Sequence, residues 1–147
     1  MQKSIEQPIG RLLTCTGRKY LNHLNAKLGQ LDIDRNFYAL ILIEAGNGTI
    51  TQQELANQLD TDKVSIVRII DYLSTAGYVK RDKHPEDRRK YSLVLTNKAK
   101  QKINNIKKAV NDSTKVAFKG LEPRQISDFY NTIYLIKKNL DTYNSDL

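Results

Sequence analysis

Tryptophan is absent from this chain, cysteine and methionine occur once each, histidine twice and proline three times. One cysteine cannot close an internal disulfide, which suits a reducing cytosol. Cys15, His23 and His84 lack the spacing of a zinc site, and the two histidines fall in different predicted elements. Neither a metal centre nor a shared catalytic pair is therefore expected. There is no glycine-rich phosphate loop, since Gly46-Asn47-Gly48 reads as a helix stop. No apolar run is long enough to span a membrane. The opening segment MQKSIEQPIGR has no apolar signal core, so a cytoplasmic protein without a membrane partner is expected. Acids are scattered or tied to basic neighbours. The chemistry of an enzyme is missing, and no cofactor is called for.

What is present is positive charge in one place. Lysine and arginine outnumber aspartate and glutamate by 24 to 16, a net charge of +8. The window from Tyr78 to Lys108 alone holds eleven basic residues against three acids, so the rest of the chain sums to zero. A neutral protein with one basic segment presents a surface suited to polyanions. A solvated lysine-rich helix face accounts for Lys98 to Lys108, but not for Lys80, Arg81, Lys83, Arg88, Arg89 and Lys90.

The stretch from Gly48 to Thr96 supplies the frame for that charge. Thr51 and Glu54 have the spacing of a capping box, so a helix starts just after Thr51, with Leu55, Ala56 and Leu59 on its apolar face. Asp60, Thr61 and Asp62 interrupt it, and each can cap the next helix. That second helix spans about Lys63 to Ala76, its stripe Ile66, Ile69, Ile70 and Leu73. Gly77 supplies the left-handed stop. Two short strands, Tyr78 to Lys83 and Lys90 to Leu95, flank the charged loop HPEDRR. Helix, turn, helix, strand, basic loop, strand is the order of a helix-turn-helix with a wing, whose second helix would enter a DNA major groove. A small α+β domain with a charged hairpin would share the order without the function.

These residues resemble the multiple-antibiotic-resistance regulator (MarR) family of winged helix-turn-helix proteins. The family's patterns stand here as TQQELANQL, then DKVSIVRIIDYLSTAGYVKR, then DRRKYSLVLT, the last with Asp87, Arg89, Leu95 and Thr96 in place. Ala99 stands where the family often has glycine, and Val67 where it often has a small hydroxyl residue. The resemblance implies a mainly α fold with a small β wing, flanked by helices that build a homodimer. The divisions it implies are 1–33 and 97–147 for dimerisation around a DNA-binding domain at 34–96. One branch of the family senses organic hydroperoxides through a cysteine in its first helix. Cys15 lies about a turn later, without the attendant tyrosines, and is expected to be a small core residue.

The flanking segments fit that plan. Pro8 opens a helix in which Ile9, Leu12, Leu13, Tyr20, Leu21, Leu24 and Leu28 recur to about Gly29. Asp34 can cap a second, apolar nearly all round from Phe37 to Ala45 and so expected to be central. Asn97 to about Phe118 carries Ile103, Ile106, Val110 and Ala117 along one side. After Gly120, Pro123 suits the first turn of a last helix striped with Ile126, Phe129, Tyr130, Ile133, Ile136 and Leu140. The stripes of the first and last helices have no evident partner within the chain, and a second copy is the economical cover.

The expected function is a homodimeric transcription regulator, a repressor, on the two half-sites of a pseudo-palindromic double-stranded DNA operator. Lys63, Ser65, Val67 and Arg68 face away from the second helix's stripe and are the candidates for base and groove contact. Thr51 and Gln52, at a helix start, can meet phosphate. Arg88, Arg89 and Lys90 form the wing, with Asp87 supporting Arg89. Tyr20 and Tyr38 fall on helices that the family packs beside its effector cleft, which takes small aromatic or phenolic anions. Each also reads as an aromatic at the core boundary. A basic architectural DNA binder with little sequence preference, or a winged helix used for protein contact, remain the alternatives.

Overall fold

The computed structural model describes residues 6–33 and 35–145. Among them the elements run α1 (Ile9–Leu28), α2 (Phe37–Gly46), α3 (Gln52–Gln58), α4 (Lys63–Thr75), β1 (Val79–Lys83), β2 (Tyr91–Leu95), α5 (Asn97–Ala117) and α6 (Pro123–Ser145). No helix is long and apolar enough to cross a membrane among the described residues. Local signals set most boundaries. Thr51 accepts from the Glu54 N–H at 3.1 Å, and the Thr51 N–H donates to Glu54 Oε2 at 3.3 Å, which completes the capping box. Asp60 turns left-handed at φ 54°, and α4 stops at Gly77 with φ 85°. There a side chain would be strained, so the glycine sets the turn into β1.

Contacts divide the chain into two compact units, Met1–Ser113 and Thr114–Leu147, with the boundary inside α5. The divisions expected at 33/34 and 96/97 follow roles; compactness divides elsewhere, because α1 and the first part of α5 share a core with the winged helix. That core joins Leu24 and Leu28 of α1, Leu40 and Ile43 of α2, Leu55 of α3, and Ile66, Ile70 and Leu73 of α4. Tyr78, Val79, Leu93 and Leu95 of the hairpin and Ala99, Ile103 and Ile106 of α5 complete it. β1 and β2 pair antiparallel, Val79 with Leu95 through Lys83 with Tyr91. The ladder is anchored by β2: Leu93 donates its N–H to Ile50 O at 2.8 Å, while β1 beyond Val79 is exposed.

Several readings of the flanking helices change. Asp34 lies outside the described residues; Asn36 precedes α2, which begins at Phe37. That helix is only partly central, for Ala39, Leu40 and Ile43 are buried while Tyr38 is exposed. The stripe of α1 is not without a partner along its length: Leu24 and Leu28 are core, and only Ile9, Leu12 and Leu13 stand exposed. On α5, Ala117 is exposed, and the buried face runs through Ala99, Ile103, Ile106, Ala109 and Ser113 instead. Position 117 continues the same spacing, but it lies past Ser113, where the first compact unit ends.

The second unit is differently made. No described side chain of α6 is buried. Phe118, Phe129, Tyr130 and Tyr134 form an aromatic run with ring centroids 5.8 to 6.2 Å apart.

Candidate nucleic-acid interface

The expected interface is built on α4. Asp62 caps it, accepting from the Ser65 N–H at 2.7 Å. That hydrogen bond stabilises the ionised form and holds the Asp62 carboxyl below its ordinary value of 3.8. Ile66, Ile70 and Leu73 bury the back of the helix, leaving Lys63, Val67 and Arg68 on the outside. Ser65 is half-buried, with its backbone N–H and its side chain both turned to Asp62, so it serves the cap more than the outer face. Val64 was missed in the sequence and is the most exposed apolar residue of α4, at 63%. Its pair with Val67 would place two branched side chains where thymine methyls can be met.

The two residues read as phosphate contacts have partners of their own. Thr51 Oγ1 accepts within its capping box, which leaves the hydroxyl hydrogen to donate. Gln52 Oε1 accepts from Arg81 Nη2 at 3.0 Å. Arg81 lies on β1, and the same Nη2 is 3.7 Å from Asp71 Oδ1 on α4. Arg81 and Asp71 were not singled out in the sequence. Charge at position 81 was visible there, but not which elements it would meet.

The hairpin tip is tightly tied. The His84 N–H donates to Lys90 O at 3.0 Å and the Lys90 N–H to Asp87 O at 3.1 Å. The His84 ring accepts from the Glu86 N–H at Nδ1, 3.1 Å, which leaves Nε2–H to donate to Thr49 O at 3.0 Å. The imidazole thus ties the wing to the loop before α3. Asp87 receives the Arg89 backbone N–H at 3.0 Å, Nε at 3.2 Å and Nη2 at 3.4 Å. Those bonds, the Arg89 side chain first, hold the Asp87 carboxyl below 3.8. The arginine remains 90% exposed, so it is oriented without being withdrawn. Arg88 and Lys90 are exposed beside it.

Tyr20 and Tyr38 are placed differently. Tyr20 donates its hydroxyl to Val110 O at 3.3 Å, joining α1 to α5, and Tyr38 is exposed. A cleft of about 490 Å³ opens among Ile43, Glu44, Val94, Lys100 and Asn104, and one of about 480 Å³ among Lys27, Leu31, Tyr78, Lys98 and Lys102. Neither tyrosine lines them. Cys15 is half-buried rather than core, with Arg18 Nη2 at 3.7 Å from its sulfur. His23 Nδ1 lies 2.9 Å from Ser113 Oγ, a link between α1 and α5. Among the described residues no cluster of three or more histidine, cysteine or acidic side chains could hold a metal.

A helix-turn-helix followed by a two-stranded basic hairpin defines a winged helix-turn-helix protein. The MarR family model matches residues 33–90. The multiple antibiotic resistance protein MarR of Salmonella typhimurium is 32% identical over 89 residues, 60% of this chain and 62% of that protein. The transcriptional repressor YetL of Bacillus subtilis is 33% identical over 64 residues, 44% of this chain and 38% of that protein. In both cases the match spans less than two thirds of the relative's length. A crystal structure of a mutant MarR from E. coli complexed with operator DNA is 30% identical, covers 90% of this chain and 94% of that one, and superposes with a TM-score of 0.74. The chain belongs to the MarR family, whose members are transcription regulators and not enzymes.

Proposed function

We propose that the chain is a homodimeric, cytoplasmic transcription regulator, a repressor, which binds a pseudo-palindromic operator and is released by a small aromatic or phenolic anion. One observation carries the DNA-binding part. α4 commits Ile66, Ile70 and Leu73 to the core and turns Lys63, Val67 and Arg68 outward, while the hairpin after it ends in an Arg89 oriented by Asp87. Such a pair suits two grooves at once. Arg68 can fork onto a guanine edge in the major groove, and a guanidinium sheds water readily enough to enter a narrow minor groove. Thr51 and Gln52 keep donors available for phosphate, and Arg88 and Lys90 add charge at the wing. The operator complex of the E. coli relative and the repressor name of YetL point the same way. The exposed apolar face of α6 supports a dimer.

The test is selection of bound duplexes from random DNA. Enrichment of two inverted half-sites, about 10 base pairs or a multiple apart centre to centre, is the expected result. Equal affinity for every duplex would make the protein an architectural binder, and absence of binding at low salt would end the DNA reading. Repeating the selection with aromatic and phenolic acids tests release.

A further inference from the structure

We propose that Arg81 is the positioning residue of the reading head: acting through Gln52 and Asp71, it fixes the recognition helix against the wing and so sets operator discrimination without itself touching DNA. The inference rests on the DNA-binding reading above.

Three elements meet at one guanidinium. Arg81 belongs to β1, opposite Leu93 in the ladder. Its Nη2 reaches Gln52 Oε1 at the start of α3, 3.0 Å away, and lies 3.7 Å from Asp71 Oδ1 on α4. A guanidinium is donor-only, so the Gln52 amide must turn its oxygen inward and its NH2 outward. Arg81 therefore orients a neighbouring donor as well as joining elements. The wing is tied on its other side by Leu93 to Ile50 O and by His84 to Thr49 O, both in the loop before α3. Those ties fix the hairpin to the loop; Arg81 adds a polar link from the hairpin to the recognition helix, beside the core that Val79 and Leu93 share with Ile70 and Leu73.

Stability does not explain this arrangement. The Arg81 and Asp71 side chains are 42% and 63% exposed, so their attraction is screened by water and salt and adds little to folding. Geometry is what such a link can supply. A site that must meet two grooves together binds well when the angle between its parts is set before contact, because the ordering cost is then met during folding rather than binding. Non-specific attraction to phosphate needs no such angle. The rival role is direct: Arg81 contacts phosphate, and Asp71 is a counter-ion that DNA displaces. The two roles differ in sign at Asp71. Removing that carboxylate would strengthen a direct contact but weaken a positioning one.

The experiment measures binding of the full chain to its selected operator and to a scrambled duplex over a salt series, with thermal midpoints to confirm folding. The variants are Arg81→Met, Asp71→Asn, Gln52→Met and the doubles that combine the last two with the first. Expected for Arg81→Met is a parental salt slope and a fall of about tenfold in the operator-to-scrambled ratio, mid-range for coupling between contacting residues. Asp71→Asn and Gln52→Met should lower the same ratio, and neither double should be worse than Arg81→Met alone. Should Arg81→Met fail to fold, the other two single variants keep Arg81 and carry the test. Three results overturn the inference: an unchanged ratio, additive losses in the doubles, or a slope flattened by about two per dimer together with tighter binding by Asp71→Asn. A parent that prefers no duplex sinks the DNA reading and this inference together. A parent that discriminates beside an Arg81→Met that discriminates equally sinks this inference alone.

Discussion

The two compact units solve the burial problem in opposite ways. In Met1–Ser113 every helix and both strands put side chains into one core, and Leu24, Leu40, Leu55, Ile70, Leu73 and Ile106 are wholly shielded from water. In Thr114–Leu147 a helix of 23 residues buries none of its described side chains, and Phe129, Tyr134, Leu140 and Tyr143 stand exposed. The first unit has a buried core; the second has an amphipathic helix with no described side chain fully buried. The difference separates two kinds of apolar residue: those of the first unit pack into one core, while several of those on α6 stand exposed.

The sharpest way to break the comparison is to charge the open face. Ile133→Asp should convert a dimer into monomer or unfolded chain, because a buried charge without a partner is costly. Light scattering at micromolar concentration checks it, and a parent that is already a stable monomer would remove the distinction. Next in size are paired truncations. Ile70→Ala, in the core, should cost about 2–5 kcal/mol at any protein concentration. Leu140→Ala, exposed at 57%, should cost within about 0.5 kcal/mol if α6 stays uncovered. If a second copy covers it, the cost should be larger and the unfolding midpoint should depend on concentration. Denaturation at two concentrations decides between these outcomes.

Within the first unit the comparison narrows to recognition helix against wing. Arg68→Ala should cost about 1–3 kcal/mol on the right base and little on a wrong one. Arg89→Ala should weaken binding to any duplex and flatten the log–log salt slope by roughly two per dimer, and Arg89→Lys should restore it incompletely. Parental affinity and slope in Arg89→Ala would mean the hairpin serves something other than DNA.

The smallest expected effect is acid sensitivity. Asp62 and Asp87 both have folded values lowered below 3.8 by hydrogen bonds. A lowered carboxylate contributes above its unfolded value and loses that contribution as pH falls through the folded one. The α4 cap should therefore be indifferent to pH from neutrality down to about 4 and loosen below it. Backbone amide shifts of Ser65 followed by NMR would show it; loosening of the cap near pH 6 would contradict the assignment.

What could be read from the chain alone was whatever depends on neighbours along it. The capping box of Thr51 and Glu54, the spacing of Ile66, Ile70 and Leu73, the stop at Gly77 and the Asp87–Arg89 pair all act within about one or two helical turns or a single loop. Their geometry comes from φ and ψ preferences and the 3.6-residue period. The charge window at 78–108 was likewise a matter of counting. Tertiary structure decided the rest. Arg81 meets Gln52 across 29 positions and Tyr20 meets Val110 across 90, and no periodicity says which of several basic or aromatic residues will face such a partner. Periodicity found the stripes of α1 and α6 as equals. Burial then separated them in part: Leu24 and Leu28 of α1 are buried, whereas in the α6 stripe Phe129, Tyr130 and Leu140 are exposed and Ile126, Ile133 and Ile136 half-buried.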